Sequence, residues 1–122
     1  MLTWKIDYTD KFGRSLKRYQ KKHPDELKAV LNNLDTYFKA IKFVEHPLQV
    51  KAGYIHNEPK GIIAIDQKGG GRKTKLKVTR LYVYPDAEKR ILYVLAIGDK
   101  QSQARDIQNC KEKVEKLKRD KP

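Results

Sequence analysis

Cysteine, acidic side chains and long apolar runs are what this 122-residue chain has least of. A single cysteine, Cys110, cannot form an internal disulfide, and its solitude fits a reducing cytoplasm. No stretch approaches the ~18 consecutive apolar residues of a membrane span, so a transmembrane or membrane-bound protein is not expected. Met1-Leu2-Thr3-Trp4-Lys5-Ile6-Asp7 lacks the apolar core of a secretory leader, so none is expected. His23, His46, His56 and Cys110 lack the paired spacing of a zinc site, so neither a metal nor a cofactor is implied. Gly70-Gly71-Arg72-Lys73-Thr74 departs from a phosphate-binding loop, because Arg72 interrupts it and a strand pattern follows. Asp86 and Glu88 do not supply the carboxylates of a two-metal nuclease, and Cys110 on an apolar stripe does not suit a nucleophile.

What the chain has in abundance is positive charge. Lys and Arg number 28 against 15 Asp and Glu, a formal net charge of +13. Such a surplus points to a polyanionic partner, nucleic acid first. Its sharpest concentration is Lys68, Arg72, Lys73, Lys75, Lys77 and Arg80, a stretch containing no acid. On charge alone, lysines guarding an exposed strand edge and lysines binding phosphate are equally good readings.

At this length a single domain over residues 1–122 is expected. Trp4, Ile6 and Tyr8 alternate with polar residues, as in a strand with one buried face. Phe12, Leu16 and Tyr19 recur at helical spacing, so a helix starts near Thr9 or Asp10 and stops before His23-Pro24. Pro24 suits the first position of a second helix, with Asp25 and Glu26 at its positive end. Leu27, Val30, Leu31, Leu34, Phe38 and Ile41 form the apolar stripe of that helix. After a loop with a short strand near Gly53–His56, Gly61–Ile65 reads as a strand, Lys75–Tyr84 as a long one and Arg90–Ile97 as a third. Pro85-Asp86 is the expected turn between the last two. Ser102 caps a closing helix with the stripe Ala104, Ile107, Cys110 or Lys111, Val114 and Leu117. The fold class is α+β: an N-terminal strand, a helical hairpin, a three-stranded antiparallel meander and a C-terminal helix.

Strand parity points Leu81 and Val83 at the helices and sends Arg80, Tyr82 and Tyr84 to an open face. Lys75 and Lys77 share the parity of Leu81, so the strand needs a bulge near Val78-Thr79 or must project beyond the core. Arg80, with Lys100 past the neighbouring strand, suits a nucleic-acid phosphate, and Tyr82 and Tyr84 suit stacking on bases.

In Phe12–Lys22 before His23-Pro24, in Thr79-Arg80-Leu81-Tyr82-Val83-Tyr84, and in Leu92–Lys100 followed by Gln103 and Asp106-Ile107, the chain resembles toxins of the RelE/ParE superfamily, in the RelE/HigB direction. The resemblance covers roughly residues 4–118. It implies a RelE-like fold and a cytoplasmic, ribosome-dependent mRNA endoribonuclease that blocks translation. It also implies a cognate antitoxin protein, whose acidic segment is expected across Lys75, Lys77 and Arg80. By position, Arg80 matches the arginine that contacts the scissile phosphate, and Lys100 a basic charge stabiliser. Asp106 stands roughly where the family has a tyrosine or histidine serving proton transfer. Lys68, Lys73, Lys75 or Lys77 replace lysines that the family carries one strand earlier. Two other readings remain: a ParE-like inhibitor of DNA gyrase, and a basic RNA- or DNA-binding module without chemistry.

Overall fold

A computed structural model describes residues 3–9, 12–68 and 76–119. The elements run β1 (Lys5–Tyr8), α1 (Phe12–Lys22), α2 (Pro24–Ile41), β2 (Ile55–Asn57), β3 (Ile63–Asp66), β4 (Thr79–Asp86), β5 (Ile91–Asp99) and α3 (Gln103–Arg119). Among the described residues, no helix is long and apolar enough to cross a membrane.

The α+β class holds, with one mixed five-stranded sheet in the order β1-β5-β4-β3-β2. β2 through β5 pair antiparallel in succession, and β1 returns to lie parallel beside β5. The short strand anticipated near Gly53–His56 is β2, so the antiparallel part has one strand more than the expected meander. Thr9 helps hold β1 in place, its Oγ1 donating to the Val94 carbonyl at 3.0 Å.

α2 begins at Pro24, whose missing amide proton costs nothing in a first turn, and Asp25 and Glu26 follow it there. Its fully buried positions are Leu27, Val30, Leu34, Tyr37 and Ile41, spaced by three and four. Leu31 and Phe38 are only partly buried, while Tyr37 turns inward at 1% exposure. With Trp4, Phe12, Ile63, Ile65, Leu81, Val83, Leu92, Val94 and Ile97, these residues form the layer between the helical hairpin and the sheet.

The opposite face of the sheet is not open. α3 lies on it and closes a second apolar layer of Ile62, Ala64, Tyr82, Tyr93, Leu95, Cys110 and Val114. The parity of Leu81 and Val83 was readable; the covering of Tyr82 was not, because it depends on where α3 lands. A register shift falls between Tyr82 and Val83 rather than near Val78-Thr79. There β5 carries one extra residue, Leu95, so that Leu95 and Ala96 both serve the α3 side.

Lys77 precedes β4, which resolves its parity. The amide of Lys77 donates to Glu26 Oε2 at 3.1 Å, and that of Thr79 to Gln67 Oε1 at 2.9 Å. Side chains thus replace the ladder where the chain approaches the sheet. Pro85 and Asp86 are the end of β4 and not a turn: they pair with Leu92 and Ile91. The turn follows, built on Asp86 Oδ1 accepting from the amides of Glu88 and Lys89, with Arg90 at φ 58°.

Leu81 and Leu95, each 0% exposed, sit in the two different layers. Replacing either by Ala is expected to cost about 2–5 kcal/mol in urea unfolding, whereas Phe43→Ala, at 88% exposure, stays within about 0.5 kcal/mol. A near-neutral Leu95→Ala would mean that α3 does not cover this face.

Candidate functional site

Period-two alternation brings a set of polar side chains to the α3 side of the sheet at one end. On β4 these are Arg80 and Tyr82. Their register partners are Asp66 and Ala64 on β3, and Gly98 and Ala96 on β5. Ala64 in turn faces His56 on β2. The small residues Ala64, Ala96 and Gly98 therefore floor the region around which Arg80, Asp66 and His56 stand.

Asp66 is the most constrained of these groups, at 2% exposure. Its Oδ2 accepts from His56 Nε2 at 2.7 Å and its Oδ1 accepts from the Lys68 amide at 2.8 Å. Asn33 on α2 donates to the carbonyls of Asp66 and Lys68, at 2.8 and 2.9 Å, and fixes the strand end from the other face. With Nε2 on the Asp66 carboxylate, the orientation of the imidazole is fixed and Nδ1 is the ring nitrogen turned away from Asp66. The His56 side chain is 31% exposed, so solvent or a ligand reaches the ring.

Asp106 approaches from α3. Gly98 makes this possible: a Cβ there would overlap the Asp106 carboxylate and the Ser102 hydroxyl. Since Gly98 is the partner of Arg80, the closure of α3 over Gly98 delivers Asp106 to the same sheet end. Ser102 Oγ donates to Asp106 Oδ2 at 2.6 Å, while the Ser102 amide donates to Asp99 Oδ1 at 2.9 Å. Burial holds the Asp106 carboxyl above its ordinary range, against the lowering effect of the Ser102 hydroxyl and the Arg105 charge. The Ser102 amide holds Asp99 below the usual range. This hydrogen-bonded corner fixes the turn that carries Lys100.

Lys100 and Lys77 line one shallow cleft of about 560 Å³, together with Leu76, Val78, Asp99 and Gln101. Both lysines are exposed, as is Lys68 at the neighbouring end of β3. From α1, Tyr19 packs toward the same corner: its hydroxyl meets Thr79 and feels the charges of Asp99 and Asp106. The expected Arg80, Lys100 and Asp106 thus gather at one end of the sheet, with Lys68 and Lys77 around them. Arg72, Lys73 and Lys75 lie outside the described residues.

The two tyrosines depart from expectation. Tyr82 is 0% exposed beneath α3 and offers no ring face for a base. Burial pushes its hydroxyl well above the ordinary tyrosine value, with the charge of Asp106 adding to the shift and that of Arg80 opposing it. Tyr84 lies four residues along β4 from Arg80, ~13 Å away. It stacks on Tyr93 at 6.4 Å between centroids, with Lys118 Nζ 5.9 Å above its ring. Within the described residues, Tyr82 Oη, Arg80 Nε and Glu58 Oε2 are buried without a hydrogen-bond partner.

His56 and Asp66 are the functional candidates that sequence reasoning missed. Ten residues separate them, and only the pairing of β2 with β3 makes them neighbours. Among the described residues, no three His, Cys, Asp or Glu side chains gather as a metal site. Cys110 is buried, and burial pushes its thiol up to about 12, which suits packing and not nucleophilic chemistry. No family model, curated protein or solved structure matches the chain.

Two outcomes follow from the Gly98 corner. Gly98→Ala is expected to cost about 1–3 kcal/mol by overpacking, and Asp106→Ala in the same chain to recover most of it, as read by a double-mutant cycle in urea. The raised Asp106 pKa sets a pH dependence. A carboxyl that binds its proton more tightly when folded contributes less stability as pH rises from the unfolded value, 3.8, through the folded one. Asp106→Asn should therefore match wild type in acid and gain on it progressively above that point, as measured by thermal unfolding across pH.

Proposed function

We propose that this chain is the toxin component of a toxin–antitoxin pair and cleaves mRNA on the ribosome. The observation that carries the reading is the Asp66–His56 pair, with Asp66 opposite Arg80 in register and the Lys77–Lys100 cleft at the same sheet end. A guanidinium for phosphate, an oriented proton-transfer group and a cationic rim are what RNA transesterification requires. The resemblance of the Arg80 strand and of the Gly98-Asp99-Lys100 and Asp106 segment to RelE-like toxins supplies the substrate class.

In this reading the ribose 2′-oxygen attacks the adjacent phosphorus and the bond from phosphorus to the 5′-oxygen breaks. The products are a 2′,3′-cyclic phosphate and a 5′-hydroxyl. His56, oriented by Asp66, takes the 2′-hydroxyl proton through Nδ1. Arg80 binds the non-bridging oxygens and stabilises the added negative charge of the transition state, with Lys100 at the rim. Asp106, brought by α3 over Gly98 opposite Arg80, carries the proton for the 5′-oxygen. Tyr82 has no stacking role here; it packs beneath α3.

The test is purified protein on ribosomes programmed with a defined mRNA, with new 5′ ends mapped by primer extension. Arg80→Ala is expected to slow cleavage by about 10²–10³ and His56→Ala by about 10²–10⁴, with folding checked by circular dichroism. Asp66→Asn should lower the rate and alter its pH profile, because it changes which imidazole nitrogen carries the proton. Intact mRNA with wild-type protein, or inhibition of DNA gyrase instead, would reject the proposal.

A further inference from the structure

α1 is an eleven-residue helix, FGRSLKRYQKK, containing five cations and no acid. Its apolar positions Phe12, Leu16 and Tyr19 face the hairpin layer. Arg14, Lys17, Arg18 and Lys21 follow the i, i+3, i+4, i+7 pattern, which stacks them on a single outward stripe. All four are exposed. Helix propensity does not require this: glutamates would serve an exposed helix face as well as lysines and arginines.

Position gives the stripe meaning. α1 is ~16 Å long, and its C-terminal half carries Tyr19 to Thr79 at the start of β4, where the Lys77 amide donates to Glu26 in the first turn of α2. The C-terminal end of α1 therefore lies at the sheet end that carries Lys77 and Lys100, and its N-terminal end leads away from it. A groove of about 640 Å³ runs beside it, lined by Leu16, Lys17, Arg18, Gln20, Lys21, Leu27 and Leu31, with no acid among these lining residues.

We infer that the outward stripe of α1 is a phosphate track, gripping the backbone of RNA that extends beyond the segment held at Arg80. This rests on the RNA reading of the site and adds a second surface to it. Cations one helical turn apart are suited to successive backbone phosphates, and they make no demand on base identity. A second copy of this chain is a poor occupant, since each copy carries +13. An acidic, leucine-bearing protein segment would use the neighbouring groove as well, and the test separates it from RNA.

The experiment measures binding of a 2′-O-methylated RNA oligonucleotide, which cannot be cleaved, by fluorescence anisotropy over a range of salt. One variant combines Arg14→Ala, Lys17→Ala, Arg18→Ala and Lys21→Ala. A control of equal charge combines Lys42→Ala, Lys51→Ala, Lys116→Ala and Arg119→Ala, all exposed positions away from α1. The α1 variant is expected to lower the slope of log affinity against log salt by about 3, since each lost phosphate contact removes about 0.7. The control should lower it by less than about 1. Equal losses in the two variants, or none in the first, overturn the track. Displacement of the RNA by polyglutamate of matched charge at equal concentration overturns RNA as the partner and points to an acidic protein. If the slopes differ as expected but wild-type protein leaves ribosome-bound mRNA intact, the track stands and the nuclease reading falls.

Discussion

Both faces of the central strands are covered, and the rest of the molecule follows from that. β3 is buried at all four of its positions, and β4 at six of its eight. One layer belongs to the α1–α2 hairpin and the other to α3. Strands buried on both sides leave little room for polar side chains except where a covering element stops. Arg80, Asp66 and His56 occupy such a boundary, beyond the apolar contact of Cys110 and Val114 with Tyr82 and Leu95. The position of the candidate site is thus a consequence of where α3 begins.

Gly98 couples the two. α3 starts close to β5 because Gly98 has no side chain, and the same proximity brings Asp106 and Ser102 against the strand opposite Arg80. A larger residue there would push the helix start outward. It would also loosen the Ser102–Asp99 corner that positions Lys100. Packing and the arrangement of charge are one constraint at this corner. The elevated Asp106 pKa is its electrostatic signature, since the carboxyl accepts the serine hydroxyl but still loses hydration.

The proposed chemistry asks little else of the fold. Asp66 is held by Asn33 from the hairpin side and holds His56 on the other, so the two layers meet at a single strand end. Under the RNA reading, the cations on α1 extend this end outward as a surface for backbone phosphate. The oriented imidazole comes from β2, a three-residue strand at the sheet edge.

Much of this was legible in the residue order. Helical spacing located α1, α2 and α3, Pro24 set the start of α2, and alternation assigned Leu81 and Val83 to the hairpin face. Those features are local: they depend on repeat distances of 3.6 and 2 residues and on the chemistry of single turns. Arg80, Lys100 and Asp106 were legible as candidates through charge and resemblance. The burial of Tyr82, the remoteness of Tyr84 from Arg80, the bulge at Leu95, and the His56–Asp66 pair were decided by tertiary structure alone. Each depends on which segment lands on which face, and no repeat within a single strand or helix encodes the position of its neighbour.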